Sequence, residues 1–247
     1  MSGTGLPFWR GSGSLERLGG SRFEAFEESA PTAMSHHRLI CYVVDPANPE
    51  RFIIQAAVRQ LTEGKLLAYP TETLYGLGAD PRQSAALERL LRAKGRSAEH
   101  GVPLVAGSRE QIEAHVGRLP LIGHRLADSF WPGPLTLVIP AYPTLSGLLL
   151  GGRNTVAVRV PSHPVARGLA DELGHPVTST SANRSGSSAA RTATEAVDAL
   201  GPELGIVLDG GVTEGGEPST IVDVQTSMPV LLRAGKVPWD CVLQSLA

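Results

Sequence analysis

"PERFIIQAAVRQLTEGKLLAYPTETLYGLG", residues 49 to 78, changes its hydrophobic period once and carries two stop signals. Phe52, Ile53, Ala56, Ala57, Val58 and Leu61 recur at helical spacing and Gly64 ends the run, which predicts an amphipathic helix with these residues on one face. "KLLAYP" then reads as a short strand closed by Pro70. Thr71, Glu72, Thr73 and Tyr75 follow before Gly76 and Gly78, glycines that let backbone approach a ligand closely.

The same alternation extends in both directions. "LICYVVD" reads as a strand, "SAALERLLRAKG" as a helix stopped by Gly95, and "GVPLVAG" as a strand. "REQIEAHVGRL" and "PLIGHRLADSFW" read as helices, "LTLVIP" and "TVAVRVP" as strands, and "HPVARGLADELG" and "ATEAVDALG" as helices. "IVLDG", "STIVDV" and "PVLLRAG" close the chain as short strands. Helices interleaved with apolar strands predict an α/β domain with helices layered on a sheet. The sheet is expected to be mixed, because the last strands lie too close together for helical crossovers.

Residues 1 to 33 are Gly/Ser-rich without a sustained period, and are expected to form a disordered tail with one weak helix over Arg22 to Ser29. Met34 offers a second candidate start, and residues 34 to 247 are expected to form one catalytic domain.

Composition narrows the function classes. Net charge is −2, from 22 basic and 24 acidic residues, which argues against a dedicated nucleic-acid binder. Two cysteines without a CxxC pair leave no basis for a zinc site or a disulfide scaffold and suit a reducing cytoplasm. No apolar run reaches the roughly 18 residues of a membrane span. The N-terminus, with Glu16, Glu24, Glu27 and Glu28, is too acidic for a transit peptide. GxxxxGK[ST], HExxH, GxSxG and SxxK are absent, and "YGLGADP" has Pro81 where a dinucleotide fingerprint needs its third glycine.

Three polar clusters fall where elements end. The first is the Thr71 to Tyr75 run. In the second, Lys94 and Arg96 flank Gly95, a point charge beside a planar fork, which suits adjacent phosphates. The third is "PVTSTSANRSGSS", residues 176 to 188, where Ser179, Ser181 and Asn183 alternate and would share one face of an extended segment. It reads as a polar cradle whose flexible part begins at about Arg184. Taken singly, each cluster has an ordinary explanation in helix caps and turns.

Taken together and in order, "YPTETLYGLG", "KGRS", "WPGPLTLVIP", "NTVAVRVPSHP", "TSTSANRSG", "PSTIVDV" and "LLRAG" resemble the YrdC-like threonylcarbamoyl-adenylate synthases over about Lys65 to Gly235. The resemblance implies a twisted open sheet with flanking helices and a central basic cavity. It implies formation of threonylcarbamoyl-AMP and pyrophosphate from L-threonine, bicarbonate and ATP, with Mg²⁺ accompanying the ATP. Partner proteins would then transfer the threonylcarbamoyl group to tRNA. By motif match, Thr73, Arg159, Ser179 and Ser219 would hold threonine. Arg96, Thr155, Ser181, Asn183 and Arg233 would hold the nucleotide, with Lys94 near the phosphates. Lys94, Arg96, Ser181 and Asn183 are thus the expected catalytic set. Two positions depart from the family pattern: Ser97 stands where Pro is common after KxR, and His100 where a Lys is. The chain resembles the short form, which lacks an additional C-terminal domain. The alternative reading is a non-catalytic protein on the same fold that binds tRNA or double-stranded RNA. Its basic patch would draw on Arg92, Lys94, Arg96, Arg109, Arg118 and Arg125, but no series of stacking aromatics accompanies it.

Overall fold

A computed structural model describes residues 39–97 and 99–247, together with the backbone of Ser14–Leu18 and Ser21–Phe26. In chain order the elements are β1 (Ser14–Leu18), β2 (Ser21–Phe26), β3 (Leu39–Val43), α1 (Arg51–Thr62), β4 (Leu66–Tyr69), β5 (Gly76–Gly78) and α2 (Ser84–Lys94). Next come β6 (Leu104–Val105), α3 (Arg109–His115), α4 (Leu121–Phe130), β7 (Leu135–Pro140), α5 (Gly147–Leu150), β8 (Thr155–Arg159) and α6 (Pro164–Leu173). The chain ends with β9 (Val177–Thr178), β10 (Thr180–Ser181), α7 (Ala193–Leu200), β11 (Leu204–Asp209), β12 (Thr220–Asp223), β13 (Val230–Arg233) and α8 (Trp239–Gln244).

The α/β alternation and the mixed pairing stand as expected, but the strands form two sheets. One has the order β1-β2-β3-β11-β4-β5-β10 and the other β13-β12-β7-β8-β6-β9. β11 runs parallel to β3 and β4, β12 parallel to β7, and β6 parallel to β8, whereas β4–β5, β7–β8 and β12–β13 are antiparallel. The two sheets meet where the chain leaves β9 in one and enters β10 in the other, with Ser179 between them.

β4 explains why its sequence is a continuous apolar run. Leu66 and Ala68 pack into one hydrophobic cluster with α2, α4 and α7, while Leu67 and Tyr69 pack into a second with α1 and α6. A strand buried on both faces needs apolar residues at every position, each contributing on the order of 1.5–3 kcal/mol for a large side chain.

α1 buries Ile53, Ile54, Ala57 and Leu61. The face is rotated from the expected one, so that Phe52 stays 42% exposed while Ile54 takes its place. The helix ends as Gly64 predicts: φ at Gly64 is 76°, Gly64 N–H donates to Leu61 O and Lys65 N–H to Gln60 O. In place of the weak helix over Arg22 to Ser29, Ser21–Phe26 is a strand paired antiparallel with β3. The backbone groups on that edge of β3 find partners there, a stronger demand than a weak local helical preference. Ser14–Leu18, also in the expected tail, pairs antiparallel with β2, and the rest of the tail lies outside the described residues. Among the described residues no helix is long and apolar enough to cross a membrane.

β12 and β13 are locked by a glycine. A Cβ on Gly235 would stand 2.2 Å from Pro218 O and 2.7 Å from both Ser219 C and Thr220 N, all backbone atoms. Gly235→Ala is therefore expected to cost about 1–3 kcal/mol of overpacking, a fall of roughly 2–10 °C in Tm. Scanning calorimetry checks this, and an unchanged Tm would contradict the packing argument.

Candidate active site

The C-terminus of α2 delivers the first group. Gly95 has φ 62°, its N–H donates to Arg92 O, and Arg96 N–H donates to Leu91 O, the same terminating motif that ends α1. This left-handed stop turns the chain so that Lys94 points inward while Arg96, half-buried, leaves on the outside. Lys94 is 1% exposed. Its Nζ donates to Ser181 O at 2.5 Å, to Asn183 Oδ1 at 2.8 Å and to Ser181 Oγ at 3.3 Å. Ser181 Oγ donates to Asn183 Oδ1 at 2.6 Å, and Asn183 Nδ2 donates to Ser187 O at 2.6 Å. Ser185 N–H donates to Lys94 O, and Arg96 Nε donates to Ser185 Oγ at 3.0 Å. The four residues expected to be catalytic are thus one hydrogen-bonded cluster. Residues from Arg184 onward, expected to be flexible, are tied into it by Ser185 and Ser187.

The hydroxyl run divides by role. Thr178 Oγ1 accepts from Ala79 N–H at 2.7 Å and Thr180 is buried, so both serve the sheet. Ser179 stands where the chain changes sheet and, like Ser181, is half-buried between fully buried neighbours. Its hydroxyl bonds to that of Tyr69, which also donates to Thr178 O at 3.0 Å. Burial of this tyrosine raises its pKa well above the usual phenol value. The glycines of "YGLG" are explained here. A Cβ on Gly76 would come within 3.1 Å of the Tyr69 ring and 3.3 Å of Ser179 Oγ, and one on Gly78 within 3.0 Å of the ring. They make room for the Tyr69 ring.

The second group surrounds Arg159 at the end of β8. Its Nη1 donates to Glu72 Oε1 at 2.7 Å, with the two side chains 7% and 10% exposed. Thr73, 5% exposed, meets Thr71 through their hydroxyls at 3.0 Å. Arg159 and Glu72 both act electrostatically on Tyr69, the partner of Ser179, and Thr73 follows Glu72 in the same turn. Arg233 donates from Nη2 and Nε to Ser219 O at 2.7 and 3.1 Å, and from Nη2 to Ser219 Oγ at 3.0 Å. Ser219 in turn meets Thr136 through their hydroxyls at 2.8 Å. Burial and the nearby Arg159 charge lower the Arg233 pKa, which links this pair to the Arg159 group.

Thr155 stands apart, at the opposite end of β8 from Arg159. It lines a small hollow with Gly101, Val102, Leu149 and Arg153. The loop that carries Arg96 leads to Gly101 in that hollow. Tyr75 and His163, whose roles the sequence leaves open, both make hydrogen bonds to backbone, and His163 also lies within electrostatic reach of Glu72. Tyr75 donates to Gly211 O at 2.8 Å, and His163 caps α6 by accepting from Val165 N–H. The sequence reading gave Glu72, Tyr69, Ser185 and Ser187 no roles. Each had a signal of position, next to a residue already singled out, but none had a signal of chemistry. Among the described residues no cluster of acidic, histidine or cysteine side chains could hold a metal ion.

Burial, followed by the positive charge of Arg96, pushes Lys94 down to about 7. Its amine should therefore titrate near neutrality rather than near 10.4. Since the folded value is the lower one, the penalty for the charged form is fully present below about 7 and is relieved as pH rises toward 10.4. Carbon-detected NMR of the Lys94 Cε against pH checks this, and a midpoint above 9 would contradict it.

Known proteins resemble the chain over most of this framework. Residues 59–235 match the Sua5/YciO/YrdC family model, described as "Telomere recombination". A threonylcarbamoyl-AMP synthase of Vibrio vulnificus is 41% identical over 184 residues, 74% of this chain and 98% of the relative. One from Pyrococcus abyssi is 39% identical over 191 residues, 77% of this chain but 56% of the relative. The crystal structure of Pyrococcus abyssi Sua5 complexed with L-threonine superposes with a TM-score of 0.78 at 36% identity, covering 83% of this chain and 60% of that one. The chain belongs to the Sua5/YciO/YrdC family.

Proposed function

We propose that the protein is an L-threonylcarbamoyladenylate synthase, which forms threonylcarbamoyl-AMP and pyrophosphate from L-threonine, bicarbonate and ATP. The observation that carries this reading is the pairing of two groups across one strand switch. On one side are Lys94, Arg96, Ser181 and Asn183; on the other are Arg159, Thr73 and Ser179. The relatives named as threonylcarbamoyl-AMP synthases support it. We infer that the two groups line one basic cavity, the first facing the triphosphate and the second the amino acid. Arg233 and Thr155 would complete the nucleotide's surroundings, and Ser219 those of threonine.

The chemistry needs no protein nucleophile. The threonine amine attacks the carbon of bicarbonate, with loss of water, or of dissolved carbon dioxide, with release of a proton, to give a carbamate. A carbamate oxygen then attacks the α-phosphorus of ATP, the α–β phosphoanhydride bond breaks and pyrophosphate leaves. Arg159 offers a charged donor to the threonine carboxylate. Arg96 and the protonated form of Lys94 offset charge on the phosphates as the leaving group departs. Magnesium would accompany the triphosphate as its counter-ion and would supply further charge neutralisation there. Holding both substrates in register is the rest of the catalysis, and exclusion of water protects the labile carbamate. The product would pass to partner proteins that modify tRNA, and the reading assigns the chain to the cytoplasm.

Pyrophosphate release from ATP and Mg²⁺ should require threonine and bicarbonate together, with threonylcarbamoyl-AMP detected by mass spectrometry. Release without either substrate, or no release with both, would refute the assignment. RNA binding that falls steeply with salt, in the absence of turnover, would favour the RNA-binding alternative. Arg96→Ala should lower turnover on the order of 10²-fold or more, as loss of a preorganised charge donor does, and normal turnover would remove Arg96 from the mechanism.

A further inference from the structure

Glu72 is anchored more heavily than a turn residue needs. One carboxylate oxygen, Oε1, accepts from Arg159 Nη1 at 2.7 Å and from Ser162 N–H at 3.3 Å. The Glu72 carbonyl accepts from Lys236 Nζ at 3.3 Å, and Lys236 also pairs with Glu214. The side chain therefore ties the β4–β5 turn to the end of β8 and to the entry of α6. The second carboxylate oxygen, Oε2, is buried and has no hydrogen-bond partner.

This contact is one-pronged where two-pronged pairing is common. An arginine and a carboxylate that meet only to neutralise each other usually pair through two parallel N–H···O bonds. Here a single guanidinium nitrogen is held by Glu72, the other carboxylate oxygen is bare, and the remaining Arg159 donors stay available to a second planar acceptor. A buried guanidinium without that tether would reorient toward water or toward another oxygen.

We propose that Glu72 is a positioning residue for the amino-acid substrate: it fixes the Arg159 guanidinium through one nitrogen and leaves the other donors for the substrate carboxylate. The inference rests on the function proposed above. It makes a specific statement about residue 72. The needed feature is an acceptor at the place of Oε1, while Oε2 engages nothing, so glutamine should serve and a shorter or apolar side chain should not.

The test is calorimetric titration of L-threonine and, separately, of ATP with Mg²⁺ into the wild type, Glu72→Ala, Glu72→Gln and Arg159→Ala. Glu72→Ala should weaken threonine binding about ten- to a hundredfold and leave ATP binding within about twofold, the scale of one charge-assisted hydrogen bond. Glu72→Gln should recover most of that loss. A merely structural role would weaken both ligands together and would not be rescued by glutamine. If Glu72→Ala does not fold, Glu72→Asp against Glu72→Gln decides, because Asp keeps the charge but withdraws the oxygen by one carbon. Aspartate binding threonine better than glutamine would overturn the proposal. So would wild-type threonine affinity in Glu72→Ala with affinity lost in Arg159→Ala, and in that case the function would stand. Normal threonine affinity in Arg159→Ala would overturn both the proposal and the Arg159 assignment beneath it.

Discussion

A buried ammonium sets the geometry of this molecule. Lys94 has almost no exposure, and its nitrogen is held by Ser181 O, Ser181 Oγ and Asn183 Oδ1. A charge removed from water persists only where other polar atoms replace its hydration. The three oxygens come from a segment distant in sequence, so satisfying the lysine fixes that segment against the end of α2. The helix stop at Gly95 makes this possible, because it ends α2 at Lys94 and sends Arg96 outward in the next step. The same cluster that stabilises the joint therefore presents a neighbouring pair of cations.

The joint also lies on a seam. β9 belongs to one sheet and β10 to the other, and Ser179 sits at the crossing. Tyr69 fills the space behind it, buried against Gly76 and Gly78 and bonded to Thr178 and Ser179. Arg159 and Glu72 lie within electrostatic reach of that tyrosine. A packing feature, an aromatic ring laid across two glycines, thus lies between the Lys94 cluster and the Arg159 group. Substitutions that enlarge either glycine would disturb both groups at once.

Much of this was legible in the chain, for identifiable reasons. Period and punctuation marked α1, β4 and α2, because Gly64 and Gly95 are needed for the left-handed stops that end both helices. The KxR and SxN spacings pointed to Lys94, Arg96, Ser181 and Asn183, which do converge. Other features were hidden because they depend on distant partners. Glu72 looks like a turn residue until Arg159 stands beside it. Gly76 and Gly78 look like a ligand loop until the ring of Tyr69 is seen to occupy their space. The division into two sheets depends on one residue between two very short strands, below the length at which alternation can be recognised. The exposed residues after Arg184 carry a linker's composition, yet their backbone and hydroxyls serve Lys94, Arg96 and Asn183. On α1, Phe52 and Ile54 flank Ile53 on opposite sides, and only the packing of α6 shows which flank is buried.

The most direct test of the two-group account is a crystal structure with L-threonine and a non-hydrolysable ATP analogue bound together. The account predicts the threonine carboxylate at Arg159, beside Thr73 and Ser179, and the phosphates between Lys94, Arg96, Ser181 and Asn183, with the seam at Ser179 between the two ligands. Phosphates bound instead at the hollow of Arg153 and Thr155, away from Lys94, would contradict it.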